Sequence, residues 1–135
     1  MFAAETNGRT IPRQPFIAGS WDGSGRGGTR RLVSPIDGSQ IAELPLCDAE
    51  DLNTALAAAE SGQAAWARHT PSHRAQIMDD AARRLLANQE EIARAVTTEV
   101  GKTLAEARDE VELSSRIVSF FAHQAATLET ELKIE

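Results

Sequence analysis

Tyrosine is absent from the 135 residues, tryptophan occurs twice and phenylalanine four times. A core built on large rings is therefore excluded, because aromatic side chains supply the most buried area per residue. Cysteine occurs once, at Cys47. One thiol cannot close an internal disulfide and cannot make a structural zinc site alone. No apolar run approaches the ~18 residues of a membrane-spanning helix. The opening residues, MFAAETNGRTIPRQ, lack the apolar stretch of a secretory signal. A cytoplasmic protein with no membrane partner is the expectation. Basic residues are also few: 14 Lys and Arg stand against 20 Asp and Glu, for a net charge of −6. That balance argues against nucleic acid or an anionic membrane as a partner.

What the chain has instead is alanine. The hydrophobic fraction is 41%, yet 23 of those residues are Ala, and Leu, Ile, Val and Phe together number only 28. That is close to the level of about 20% below which chains tend to disorder. A domain of this length would have to bury roughly two-thirds of its unfolded surface, and the bulky side chains to do so are scarce. The helices are therefore expected to need a further surface to pack against.

Residues 1–14 are polar and aperiodic and read as a flexible N-terminal arm. Pro15 to Trp21 and Thr29 to Val33 read as two short strands, joined by the glycine-rich Asp22 to Gly28 into a hairpin with a long loop. Ser34-Pro35-Ile36-Asp37-Gly38 is turn chemistry, and Gln40 to Leu46 is a third strand. From Asp48, a good N-cap, the hydrophobic period lengthens to 3.6. One helix is expected to about Arg68. A second starts at Thr70-Pro71 as N-cap and N1 and runs to Gly101, with Asn88 either a break or an exposed helical position. A third starts near Thr103. Its apolar stripe is Leu104, Ala107, Val111, Ser114, Val118, Phe121, Ala125 and Leu128, widened by Ile117 and Phe120. The fold expected from the residues is thus a β-hairpin plus a third strand, followed by three α-helices.

No catalytic constellation emerges. Gly23-Ser24-Gly25-Arg26-Gly27-Gly28 satisfies the letters of a dinucleotide loop, but a strand-like segment follows where a helix must start, so it reads as a hairpin loop. Cys47 precedes a helix N-terminus but has no histidine beside it in sequence. His69 and His73 have the spacing of a helical metal pair, yet Pro71 lies between them and puts His69 outside the helix; both read as surface residues, as does His123. The many helical carboxylates read as a solvated face. Lys102, after a helix-ending glycine, complements the helix dipole.

Several segments, in order, carry a likeness. Phe16-Ile17-Ala18-Gly19-Ser20-Trp21 resembles the F-I-x-G-x-W opening strand of the aldehyde dehydrogenase superfamily. Val33-Ser34-Pro35-Ile36-Asp37-Gly38 is similar to that family's V-x-N-P-x-T-G turn, with Ser34 in place of Asn and Asp37 in place of Thr. Ile41-Ala42-Glu43-Leu44-Pro45 resembles the strand that follows. Asp51 through Trp66-Ala67-Arg68 and Pro71 to Leu86 look like its first two helices. Glu99-Val100-Gly101-Lys102 resembles its E-x-G-K segment, with Thr103 where Pro is common.

The resemblance spans about Pro15 to Leu128. It implies an α/β fold in the whole protein, of which residues 15–135 are an incomplete N-terminal part of the cofactor-binding domain. It implies oxidation of an aldehyde to a carboxylate with NAD or NADP, and a homo-oligomer. The family's catalytic Cys and Glu and its cofactor loop match no residue here. The remainder of an aldehyde dehydrogenase chain is thus the expected partner, and no activity or cofactor is expected of this chain alone. The resemblance also implies one site, for a monovalent cation, at Val33 (through its carbonyl) and Glu99. The alternative is a non-enzymatic helical module that pairs through the third helix.

Overall fold

The computed structural model describes residues 4–6, 9–11, 14–21 and 26–124, the first two stretches by their backbone alone. The end of the expected third-helix stripe (Ala125, Leu128), Asp22 and the first glycines of the loop (Gly23, Gly25) lie outside the described residues. Of the described residues, those up to Ala64 together with Thr98–Gly101 form one compact unit; Ala65–Thr97 and those from Lys102 onward form another.

The first unit holds six short strands in three antiparallel pairs. Within the expected arm, β1 (Ala4–Thr6) pairs with β2 (Arg9–Ile11). β3 (Phe16–Ile17) pairs with β4 (Ser20–Trp21), and β5 (Thr29–Val33) with β6 (Gln40–Pro45). The expected hairpin between 15–21 and 29–33 is therefore corrected. Each segment closes on a nearer partner, which costs less loop entropy. Ala18 and Gly19, at φ 52 and 86, make the two-residue turn between β3 and β4. Between β5 and β6, Ser34 N–H donates to the Ser39 carbonyl (2.8 Å) and Gly38 N–H to the Ser34 carbonyl (2.9 Å). The Asp37 carboxylate accepts from the Ser39 hydroxyl (2.7 Å) and the Ser39 N–H (3.0 Å). Those bonds, the hydroxyl first, hold the Asp37 carboxyl below the usual carboxylate range. The ladder slips by one residue between Leu32, which faces Ala42, and Val33, which faces Gln40, so the extra residue of the bulge is Ile41 of β6.

Helix α1 (Ala49–Ala67) begins as its residues predict. Asp48 Oδ1 accepts from the N–H groups of Glu50 and Asp51 (both 2.9 Å), and Asp51 returns the bond to Asp48 N–H (3.1 Å). This is a reciprocal capping box made of two aspartates. Arg26 bridges Asp48 and Glu50 (3.0 Å each).

The second unit is helical. Thr70 caps α2 (Pro71–Ala87) by accepting from His73 N–H (3.2 Å). Where one helix was expected from Thr70 to Gly101 there are two, α2 and α3 (Gln89–Val100). Asn88 ends the first: its side-chain amide donates to the Arg84 carbonyl (2.7 Å). The Asn88 carbonyl then starts the second by accepting from Ile92 N–H (3.1 Å). Asparagine competes with the helix for its own backbone groups, which is why the break falls there. α4 (Leu104–Gln124) opens with a capping box: Thr103 Oγ1 accepts from Glu106 N–H (3.3 Å), and Glu106 accepts from Thr103 N–H (3.2 Å).

α2 packs against α4. The buried Ser115 hydroxyl donates to the Ala82 carbonyl (2.8 Å), and the Ser119 hydroxyl to Asp79 (2.7 Å). Advancing along α4 retreats along α2, so the two helices run antiparallel. Among the described residues, the buried apolar side chains are Ala42, Ala82, Ala93, Ala107, Val111 and Ala122, and no large side chain is fully enclosed.

Candidate functional site

Only Val33 and Glu99 were expected to form a site, and both lie in the first unit, each exposed. What draws their segments together is a glycine. A Cβ on Gly101 would come 2.9 Å from the Pro35 side chain, and Gly101 holds φ at 80. Only glycine meets both demands at low cost. The turn that follows Val33 thus rests on the helix stop that follows Glu99. A main-chain carbonyl and a carboxylate are hard oxygen donors, the type that suits a group-one cation better than a soft metal.

Cys47 is exposed. Gly27 N–H donates to the Leu46 carbonyl (3.1 Å), and a side chain at Gly27 would collide with the Leu46 and Cys47 carbonyls (2.7 and 2.6 Å). The end of the glycine-rich loop therefore serves a close backbone approach. Strand β5 follows it, so no helix N-terminus is aimed from this loop at a phosphate.

In the second unit, Glu90 collects two arginines: Arg108 through two bonds (2.7 and 3.0 Å) and Arg94 (2.5 Å). Arg108, first among these causes, holds the Glu90 carboxyl below its ordinary range. Glu90 in turn raises the Arg108 guanidinium. Gln89 ties α3 to α4 by donating to the Arg108 carbonyl (3.0 Å). Lys102, just past the end of α3, bonds Glu110 (2.7 Å), a partner two turns into the next helix. Asp79 accepts from Ser119 and pairs with Arg83, and both depress its carboxyl, the Ser119 bond most. These groupings hold helices together. Of the helical carboxylates read from the sequence as a solvated face, Glu90 and Glu110 are engaged in such pairs.

His69 lies outside α2, as Pro71 requires, but the structure brings its ring to 4.6 Å from that of His73, centroid to centroid. Sequence reasoning missed this because the chain turns at Thr70 and restores the proximity that the helix start had interrupted. Among the described residues, no three of His, Cys, Asp and Glu gather closely enough to hold a metal. No helix among them is long and apolar enough to cross a membrane.

The apolar face of α4 departs most from expectation. Phe121 was placed in the packed stripe and is 65% exposed; Leu113, Ile117 and Phe120 are also largely exposed. The face that packs on α2 carries Ser115, with Ala107, Val111 and Ala122 buried beside it in the helical repeat.

The aldehyde dehydrogenase family profile matches residues 21–134. A 3-sulfolactaldehyde dehydrogenase from Pseudomonas putida is 34% identical over 85% of this chain and 24% of its own length. A malonate-semialdehyde dehydrogenase from Halalkalibacterium halodurans is 35% identical over 79% of this chain and 22% of its own length. The crystal structure of an NAD-dependent benzaldehyde dehydrogenase from Corynebacterium glutamicum superposes with a TM-score of 0.81 at 28% identity, over 86% of this chain and 25% of that one. The chain thus spans about a quarter of the length of the relatives it matches. With the order of strands, turn and helices expected from the residues and a match over most of its length, the chain belongs to the aldehyde dehydrogenase family.

Proposed function

We propose that the whole protein is an aldehyde dehydrogenase that oxidises an aldehyde to a carboxylate with NAD or NADP in the cytoplasm, as a homo-oligomer of α/β subunits. Residues 15–135 form part of its cofactor-binding domain. The observation that carries this reading is the family match over residues 21–134. In this reading the exposed face of α4 is covered by the remainder of the chain. No residue of the 135 touches the reacting atoms, and the chain alone binds no nicotinamide cofactor. Val33, through its carbonyl, and Glu99 supply two oxygens to a monovalent cation that steadies the turn on the helix stop. Oxygen chemistry and the contact of Pro35 with Gly101 support that assignment.

The substrate panel follows the relatives' names: 3-sulfolactaldehyde, malonate semialdehyde and benzaldehyde. A protein of the relatives' length that contains this sequence is expected to reduce NAD or NADP with one of these aldehydes, read as absorbance of the reduced nicotinamide. The 135-residue chain is expected to give no heat on titration with NAD; micromolar binding would overturn its proposed silence.

A second reading is favoured by one observation, the exposed Leu113, Ile117, Phe120 and Phe121. In it the chain is a non-enzymatic module that pairs through α4. Sedimentation separates the two. A stable, concentration-dependent oligomer with sharp cooperative unfolding supports pairing. A chain that binds ANS and unfolds broadly supports the orphaned part of an enzyme.

A further inference from the structure

We propose that His69 and His73 form a two-histidine chelate for Cu(II) or Ni(II) on the surface of the second unit. The argument is geometric. With a metal–nitrogen bond of about 2.05 Å and about 1.15 Å from ring nitrogen to centroid, two imidazoles on one metal have centroids about 4.5 Å apart at a right angle and about 5.2 Å at the tetrahedral angle. The observed separation is 4.6 Å, with the rings tilted by 47°. That separation lies within reach of two neighbouring ligands in a tetragonal site, the geometry of Cu(II) and Ni(II), and below the spacing of a tetrahedral zinc site.

The backbone holds both residues where this needs them. His69 N–H donates to the Trp66 carbonyl (3.1 Å), and the His69 carbonyl accepts from Arg74 Nη1 (2.8 Å). His73 N–H donates to Thr70 Oγ1 (3.2 Å) as part of the helix cap. None of these bonds uses an imidazole nitrogen, so the rings are positioned without being spent on the cap. Both side chains are exposed, which leaves room for water to complete the coordination. The Arg74 guanidinium on the His69 carbonyl works against a bound cation. It makes the site a weak, reversible chelate and not a structural metal centre.

Trp66 provides the readout. Its ring stands edge-on to His69 with centroids 6.3 Å apart, close enough for a paramagnetic Cu(II) on the pair to quench its emission. The chain has two tryptophans, so Trp21→Phe leaves Trp66 as the sole indole emitter. In that background Cu(II) is expected to quench Trp66 saturably at one metal per chain, with two imidazole nitrogens in the electron paramagnetic resonance spectrum. His69→Ala and His73→Ala should each weaken binding at least tenfold, and His123→Ala should leave it unchanged. His73→Gln, which keeps the backbone cap, guards against a folding defect; helicity is checked by circular dichroism. An unchanged midpoint in either His69→Ala or His73→Gln would overturn the site, as would a spectrum with fewer than two imidazole nitrogens.

Discussion

The two faces of α4 differ in a way that side-chain size alone would reverse. The face toward α2 carries small residues, Ala107, Ser115 and Ala122, with Val111 the largest of the buried set, and all are covered. The other face carries Leu113, Ile117, Phe120 and Phe121, and each is roughly half exposed or more. Small residues let two helix backbones approach, and the approach is fixed by polar bonds: Ser115 to the Ala82 carbonyl, Ser119 to Asp79. On that face Phe120 and Phe121 meet edge-on at 5.3 Å. A helix with an apolar stripe on both sides is built to lie between two layers. Only one of those layers is among the described residues.

The buried face offers the largest effect. Val111→Asp places an unpaired carboxylate where 4% of the residue reaches solvent. The expected loss is roughly 3 kcal/mol or more, read as the urea midpoint. A loss under about 1 kcal/mol would mean the α2–α4 seam opens freely, and the contrast between the faces would fail. Ser115→Ala is milder. It removes one buried hydrogen bond at little change in volume, so about 1 kcal/mol is expected in the same measurement.

Ser119→Ala tests the same seam through pH. Asp79 is held below its ordinary value of 3.8, chiefly by the Ser119 hydroxyl and then by Arg83. A carboxyl depressed in the folded chain contributes stability above its unfolded value, and that contribution fades as pH falls through the lower folded value. The wild-type advantage over Ser119→Ala is therefore expected at neutral pH and should shrink below about pH 4. Urea midpoints at pH 7 and pH 3 check it. A gap that widens on acidification would contradict the assignment of the bond.

Which of this was legible in the sequence depends on how local the cause is. The helix caps made by Asp48 and Thr70-Pro71 and the positive φ of Gly101 are set within four residues, and each does what its chemistry dictates. Asn88 was ambiguous because a helical and a helix-ending asparagine look alike until its amide finds the Arg84 carbonyl. The pairing of strands was misread because Thr29 to Val33 can join a partner on either side, and the tight Ser34–Ser39 turn decided it. Phe121 was misplaced for a longer-range reason: a three-four stripe names two adjacent faces, and only the partner helix chooses between them. Here α2 chose the face of Ser115 and Ser119. For the expected cation pair, the Pro35–Gly101 contact that joins the two segments is tertiary and leaves no local mark in the sequence.

The smallest expected effect is the sharpest test of the contrast. Phe121→Ser replaces a large ring by a hydroxyl on the uncovered face. A surface substitution away from packed features usually changes stability by within about 0.5 kcal/mol, and that is the expectation for the 135-residue chain. ANS fluorescence should fall in the same variant, because the dye reports exposed apolar surface. In a protein of the relatives' length the same change should cost more, since the ring would then leave a covered site. Equal costs in both would mean that nothing further lies over α4, and a large cost in the short chain would mean that its own residues already cover Phe121. Either result would collapse the distinction between the two faces from which the layered role of α4 is argued.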